Sequence, residues 1–134
     1  MSSMRRLIAF AIAGCAAFAC ALPVSADQMG SANSSVTITG QVVDLACFLS
    51  KGVSGASHAS CATACAKAGG ALGILTKDGD VVVSIEPGPG QDPNKLLLPY
   101  VEQTVTVTGM EYDKAGVKSI AVSSVKPAST SMSK

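Results

Sequence analysis

The sequence predicts a mainly β domain: a small closed barrel of five strands, with one helix (about residues 57–69) inserted after the first strand. Five segments rich in β-branched residues lie between turn signals. Gly40 and Gly109 interrupt or end two of these segments, as the sharp bends of a small barrel require. An alanine-rich segment of helix-forming composition separates the first strand from the second.

The N-terminal 26 residues are predicted to be an export signal. Two arginines precede an apolar run over residues 7–22, and "PVSA" supplies the small residues that a signal peptidase needs, with cleavage after Ala26. The run is shorter than the about 20 apolar residues of a membrane span. We therefore expect a periplasmic or secreted protein without a membrane span. The alternative is a lipoprotein, because "IAGC" resembles a bacterial lipobox ending at Cys15, although the apolar run continues well past that cysteine.

Cleavage after Ala26 changes both the charge and the cysteine count. The mature chain keeps eight lysines, no arginine and nine acidic residues, a net charge of −1, and three aromatic residues. Nucleic-acid binding, which requires a basic face, is therefore excluded as an expected function. Three cysteines remain, Cys47, Cys61 and Cys65, and an odd number cannot pair completely within one chain.

The elements follow in order from local patterns. Residues 27–35 are small and polar and predict a flexible leader. Alternating valine and isoleucine from residue 36 predict the first strand, which is expected to end near Asp44 to Phe48 and to leave Cys47 at its mouth or just past it. Residues 50–57 have loop composition, and Ser57 is a plausible cap for a helix that "GG" at 69–70 ends. This helix lacks large apolar residues, so something other than packing is expected to hold it.

The second half of the chain predicts a hairpin and two long strands. Residues 72–76 and 81–85 flank the turn signal "DG", and a loop and one short helical turn broken by Pro99 follow. The alternating segment 103–112, a turn and residues 117–125 are the last two strands. The tail at 127–134 is polar and predicted to be disordered, which leaves residues 36–126 as one domain.

The C-terminal half, "LLLPYVEQTVTVTGMEYDKAGVKSIAVSSV", resembles the end of many small exported proteins with an oligonucleotide/oligosaccharide-binding (OB) barrel. The apolar connector before the fourth strand also lies where an OB barrel carries its helix. The resemblance implies an OB-like barrel and no particular activity, since one fold hosts many functions.

Four soft donors form the one constellation that suggests chemistry. His58, Cys61 and Cys65 lie at i, i+3 and i+7 of the predicted helix and so along one stripe. The loop after Cys47 is long enough to bring that thiol back to the stripe. Three thiols and an imidazole are a complete tetrahedral set for a thiophilic metal, Cu(I) or Zn(II). Coordination would then hold the helix to the barrel.

Two family resemblances involve these residues. The C-x3-C element of Cys61 and Cys65 resembles the copper sites of respiratory oxidases and of Sco-type copper chaperones, which implies copper at these two positions. His58 on the same helix departs from that pattern, and the remaining sequence is neither cupredoxin-like nor thioredoxin-like. The segment "GQVVDLACFL…GASHASCATACAKAGGALGIL" also resembles an uncharacterised group of small exported bacterial proteins, which implies no activity.

Other interpretations of the cysteines stay open. Cys47 can form a structural disulfide with Cys61 or Cys65, whereas a Cys61–Cys65 bridge within a helix has unfavourable geometry. Redox-active thiols usually need C-x2-C at a helix N-terminus, which this spacing does not provide. Asp44, three residues before Cys47, is the one acid placed to orient a ligand, although a role at the strand end also explains it.

The sequence therefore predicts a non-enzymatic exported protein that binds a metal for storage, delivery or structural support. A single histidine without an evident serine or acid partner gives no support for a hydrolytic triad. The rival prediction is an OB-like binding or assembly module that contacts another exported protein and uses its cysteines structurally. A thiol–disulfide redox protein is the third.

Overall fold

The computed structural model describes residues 34–129 of the 134-residue chain. The predicted export signal, the lipobox, most of the leader and the last five residues lie outside this part. Within it, no helix has both the length and the apolar character needed to cross a membrane. The elements are β1 (Ser34–Asp44), α1 (Leu45–Lys51), a 3-10 turn (Ala56–His58), α2 (Ala59–Lys67), β2 (Leu72–Thr76), β3 (Val81–Ile85), a second 3-10 turn (Leu98–Tyr100), β4 (Thr104–Lys114) and β5 (Val117–Pro127).

The five strands close into a barrel in the order β1-β2-β3-β5-β4. All neighbouring strands are antiparallel except β3 and β5, which pair in parallel. This arrangement fits an OB-like barrel and confirms the predicted fold of five strands with a helix inserted after the first. The bounds of β2 and β3 match those predicted from the alternating pattern and the "DG" turn.

The core lies inside the barrel and is built from the inward side of each strand. In β4, Val105 and Val107 are fully buried, whereas the alternate threonines lie toward the surface. This period of two is the direct consequence of strand geometry. The fully buried apolar side chains that share this core are Val42, Leu72, Ile74, Leu97, Val105, Val107, Ile120 and Ala62.

Gly40 and Gly109 lie where neighbouring strands approach most closely. A Cβ atom at Gly40 would stand 2.5 Å from the carbonyl oxygen of Leu75, and one at Gly109 would overlap the carbonyl oxygen of Ala121. The pairing of β4 with β5 also shifts register between Thr108 and Gly109. Only glycine allows the strands this approach, which supports the sequence-based assignment of both positions to barrel bends.

The first strand ends at Asp44, within the predicted range, but the short helix that follows it was not predicted. The chain turns directly from β1 into α1, so Cys47 lies on a short helix and not at a strand mouth. Asp44 caps this helix and Gly52 ends it in the left-handed conformation, with φ 67°. These two cap residues delimit a seven-residue segment in which leucine, alanine and lysine favour a helix.

The inserted helix begins slightly later than predicted, at Ala59, and the 3-10 turn that ends at His58 leads into it. The expectation that it lacks packing needs correction. Ala62 is fully buried and Ala66 nearly so, and both belong to the barrel core. Small side chains let the helix backbone lie close to the barrel. Burial of these two alanines therefore helps to hold α2 in place.

Candidate metal centre

Asp44 and Gly52 fix the position of Cys47. The Asp44 Oδ1 atom accepts a hydrogen bond of 3.0 Å from the Ala46 backbone N–H, which satisfies one of the free donors of the first turn of α1. At the other end, the Gly52 N–H donates to the carbonyl oxygen of Phe48 at 2.8 Å. The cysteine is therefore carried on a capped helical turn whose direction both ends define.

The C-terminal end of α2 is tied to the barrel by a buried asparagine. The Gly70 N–H donates to the Cys65 carbonyl oxygen at 2.8 Å and closes the helix. The Asn94 side chain then donates to the Gly70 carbonyl oxygen at 2.7 Å and accepts from the Leu72 N–H at 3.2 Å. Asn94 thus holds the junction of α2 and β2 against the loop before β4. Asn94 lies in a polar loop of the sequence, and such a position does not predict this role.

The structure brings three of the four predicted donors together. One ligand atom each of Cys47, His58 and Cys61 lies within 4.8 Å of the other two. For comparison, metal–sulfur bonds of 2.3 Å in a tetrahedral site place two sulfur atoms about 3.8 Å apart. Small side-chain movements would therefore bring the three atoms to coordination distance.

The three donors differ in how far they are exposed to solvent. The Nε2 atom of His58 is buried and has no hydrogen-bond partner. Cys47 is half-buried, and Cys61 is exposed. A metal bound at this cluster would therefore be accessible to solvent from the side of Cys61. The imidazole of His58 would lie on its buried side.

Cys65 lies beside this group and not within it. Its thiol faces the Asp44 carboxylate and the Cys61 thiol. Cys47, Cys61 and Cys65 are all free cysteines. Three of the four donors predicted from the sequence therefore form one cluster. The fourth donor, the Cys65 sulfur, lies next to this cluster and beside the Asp44 carboxylate.

The Asp44 carboxylate acts on two of the thiols, Cys47 and Cys65. Hydrogen bonding to this carboxylate, followed by desolvation, raises the pKa of Cys65 to about 11. Desolvation, followed by the same carboxylate, raises the pKa of Cys47 above its usual 9.0. Without a cation, both thiols are therefore protonated at neutral pH.

A second buried carboxylate, Glu102, holds the loop that leads to His58. Its Oε2 atom accepts from the Gln41 side-chain amide at 2.8 Å and from the Gly55 backbone N–H at 2.6 Å. Glu102 is 7% exposed, and its backbone has a φ of 62°. The sequence does not predict this role of Glu102, because a lone acid beside a short apolar segment gives no signal of burial.

Replacing Glu102 by alanine is expected to lower the free energy of unfolding by about 1–3 kcal/mol, because the Gln41 amide and the Gly55 N–H lose their charged acceptor. Urea unfolding measures the loss, and amide hydrogen exchange at Gly55 is expected to accelerate. Glu86→Ala, which removes an exposed glutamate, is the matched control and should change stability by less than about 0.5 kcal/mol. Equal stability of the two variants would contradict the tethering role of Glu102.

No protein-family model, curated protein or solved structure matches this chain. The arrangement of donors on the barrel is therefore the basis on which its function is argued.

Proposed function

We propose that this exported protein binds one thiophilic metal ion, Cu(I) or Zn(II), through Cys47, His58 and Cys61, with Cys65 moving in as the fourth donor. Binding serves to store the metal ion, to deliver it or to support the structure of the protein. The observation that carries the proposal is the approach of three donor atoms to within 4.8 Å of one another, although they come from α1, a 3-10 turn and α2.

The imidazole of His58 supports a ligand at this place. Buried polar atoms in folded proteins almost always have a hydrogen-bond partner, and an unpaired one costs free energy. The Nε2 atom of His58 is buried without a partner. One nitrogen of the same ring lies within 4.8 Å of the Cys47 and Cys61 sulfur atoms. A metal ion bound there would use the nitrogen lone pair, and neutral imidazole is a common metal ligand.

The thiol environment favours metal binding over disulfide exchange. An exchange enzyme needs a thiolate at neutral pH and therefore a lowered pKa. The pKa values of Cys47 and Cys65 are raised instead, because desolvation and the Asp44 carboxylate act on both thiols. A metal ion displaces thiol protons directly on binding, so it does not require an acidic thiol beforehand.

The four-donor arrangement also favours a non-catalytic role. A catalytic metal keeps one position open for water or substrate, whereas a set of three sulfurs and one nitrogen fills a tetrahedral shell. Exposure of Cys61 leaves one edge of this shell accessible. That edge is where a metal would enter or pass to another exported protein.

The proposal is tested by titrating the reduced protein anaerobically with Zn(II) and, separately, with Cu(I), each in competition with a chromogenic chelator. We expect one equivalent to bind tightly. Failure of both metals to bind would refute the proposal. A mass two hydrogens lower in the protein isolated without reductant, with a single thiol open to alkylation, would establish a structural disulfide instead.

A groove on the barrel favours a second candidate, a binding or assembly module. A cavity of about 800 Å³ lies between β4, β5 and the loop that precedes the second 3-10 turn. Met110 and Leu96 line it and are partly exposed. Loss of partner capture from the exported fraction on Met110→Asp, with metal content unchanged, would favour this function.

A further inference from the structure

Asp44 is a fully buried carboxylate without a cationic partner. Its exposed fraction is 1%, and its Oδ1 atom is occupied by the Ala46 N–H. The Oδ2 atom is buried and lacks a regular hydrogen bond, and the polar groups beside the carboxylate are the weakly donating thiols of Cys47 and Cys65. The salt bridges of residues 34–129 involve Asp78 and Asp80, and Asp44 takes part in none of them. A buried negative charge left this way is costly, so a compensating group is expected.

The carboxylate lies beside the cluster of donors, since it acts on the thiols of both Cys47 and Cys65. The same carboxylate caps the N-terminus of α1, the helix that carries Cys47. An ion held by the cluster would therefore lie within the short-range field of Asp44, in a partly desolvated setting where charge interactions are strong.

The total charge of the cluster favours a doubly charged ion. With Cys65 as the fourth donor, the three thiolates and the Asp44 carboxylate carry four negative charges, while neutral imidazole adds none. A monovalent ion would leave three of these charges uncompensated at partly buried positions, whereas a divalent ion leaves two. Lys51 is the one cationic side chain that acts on Cys47, and it is exposed.

The chemistry of the donors points the same way. Cu(I) sites are typically built from thiolate and thioether sulfur, whereas Zn(II) accepts mixed sulfur, nitrogen and oxygen surroundings. The single methionine of residues 34–129, Met110, lines the groove described above. The cluster instead combines sulfur with an imidazole and a neighbouring carboxylate.

We propose that the site is built for a divalent thiophilic ion, Zn(II), and that the buried Asp44 carboxylate supplies the preference over Cu(I) through its charge. This inference rests on the proposed metal-binding function. Asp44 acts as a positioning and charge-compensating residue, and the sulfur and nitrogen atoms of the cluster remain the ligands.

The test compares Asp44→Asn with the wild type in the two chelator competitions, one with Zn(II) and one with Cu(I). Asparagine caps helices as well as aspartate does, so α1 is retained and only the charge is lost. We expect the Zn(II) affinity to fall about 10–100-fold, the usual effect of removing a partner that supports metal ligands. The Cu(I) affinity is expected to fall only about 3–10-fold, since the Coulomb energy of a monovalent ion beside the lost charge is half that of a divalent ion.

Asp80→Asn is the matched control. Asp80 is exposed and pairs with Lys118 at the other end of β2, so its loss removes one negative charge from the chain without touching the cluster. Both metal affinities of this variant should equal those of the wild type. Equal weakening of Zn(II) and Cu(I) by Asp44→Asn, or no weakening of Zn(II), would overturn the inference and leave the proposed function standing.

Co(II) binding to the unaltered protein gives a second test that does not depend on how the Asp44 variant folds. One equivalent of Co(II) with the intense visible bands of tetrahedral sulfur coordination would support a divalent site. Tight binding of one Cu(I) with no binding of Co(II) or Zn(II) would refute the divalent preference alone. Absence of binding by all three ions would refute the metal-binding function itself.

Discussion

Cys61→Ser is expected to weaken Zn(II) binding by at least about a hundredfold relative to the wild type. Structural zinc sites bind with about 10–16 kcal/mol shared among four ligands, so loss of one thiolate removes about 3 kcal/mol or more, where 1.4 kcal/mol is a factor of ten. A serine hydroxyl is a poor substitute, because it is neutral at working pH and a harder donor. Chelator competition measures the affinity, and metal analysis of the purified variant should show the metal absent.

The position of Cys61 makes this variant informative. The side chain is exposed on α2, whereas the buried face of the helix is formed by alanines, so the fold is expected to remain intact. Ser60→Ala, at the neighbouring exposed position, is the control and should bind metal as the wild type does. Wild-type affinity in Cys61→Ser would exclude this thiol as a ligand and remove one of the three donors on which the proposal depends.

Gly109→Ala is expected to cause the largest loss of stability among single methyl additions to the barrel. The added Cβ would overlap the carbonyl oxygen of Ala121 and come within 2.9 Å of Ile120 Cγ1. Both neighbours belong to β5, and Ile120 is fully buried, so neither can move without disturbing the ladder or the core. We expect the free energy of unfolding to fall by about 3 kcal/mol or more, at the upper end of overpacking effects.

Denaturant unfolding followed by circular dichroism measures this loss. Ser124→Ala is the control, because Ser124 is exposed on β5 opposite Thr108 and should change stability by less than about 0.5 kcal/mol. An unfolding midpoint for Gly109→Ala close to that of the wild type would show that the two strands separate easily at the bulge, contrary to the packing described here.

The strands were predictable because their signals are local. Alternation of valine with threonine defines the inner side of β4, and the "DG" turn sets the ends of β2 and β3. α1 escaped prediction because it is only seven residues long and follows β1 without a loop. Its helical state depends on the Asp44 cap and on the left-handed Gly52, two weak signals that become decisive only together.

The candidate site was predictable in part, for the same reason. The three-residue spacing of His58 and Cys61 places them side by side on almost any helical turn, whatever the rest of the fold does. Their approach to Cys47, eleven residues or more away in the chain, depends on how α1 packs. The displacement of Cys65 toward Asp44 also depends on the course of both helices.

By itself, the sequence determined the five strands, the inserted helix and the identity of the soft donors, because each follows from spacing within a few neighbouring residues. Only the tertiary structure decided which donors meet, that Asp44 is buried beside them, and that Glu102 and Asn94 hold the two ends of the inserted segment. Those features arise from contacts between residues far apart in the chain. Burial and charge compensation are properties of the closed barrel as a whole, and local sequence patterns do not encode them.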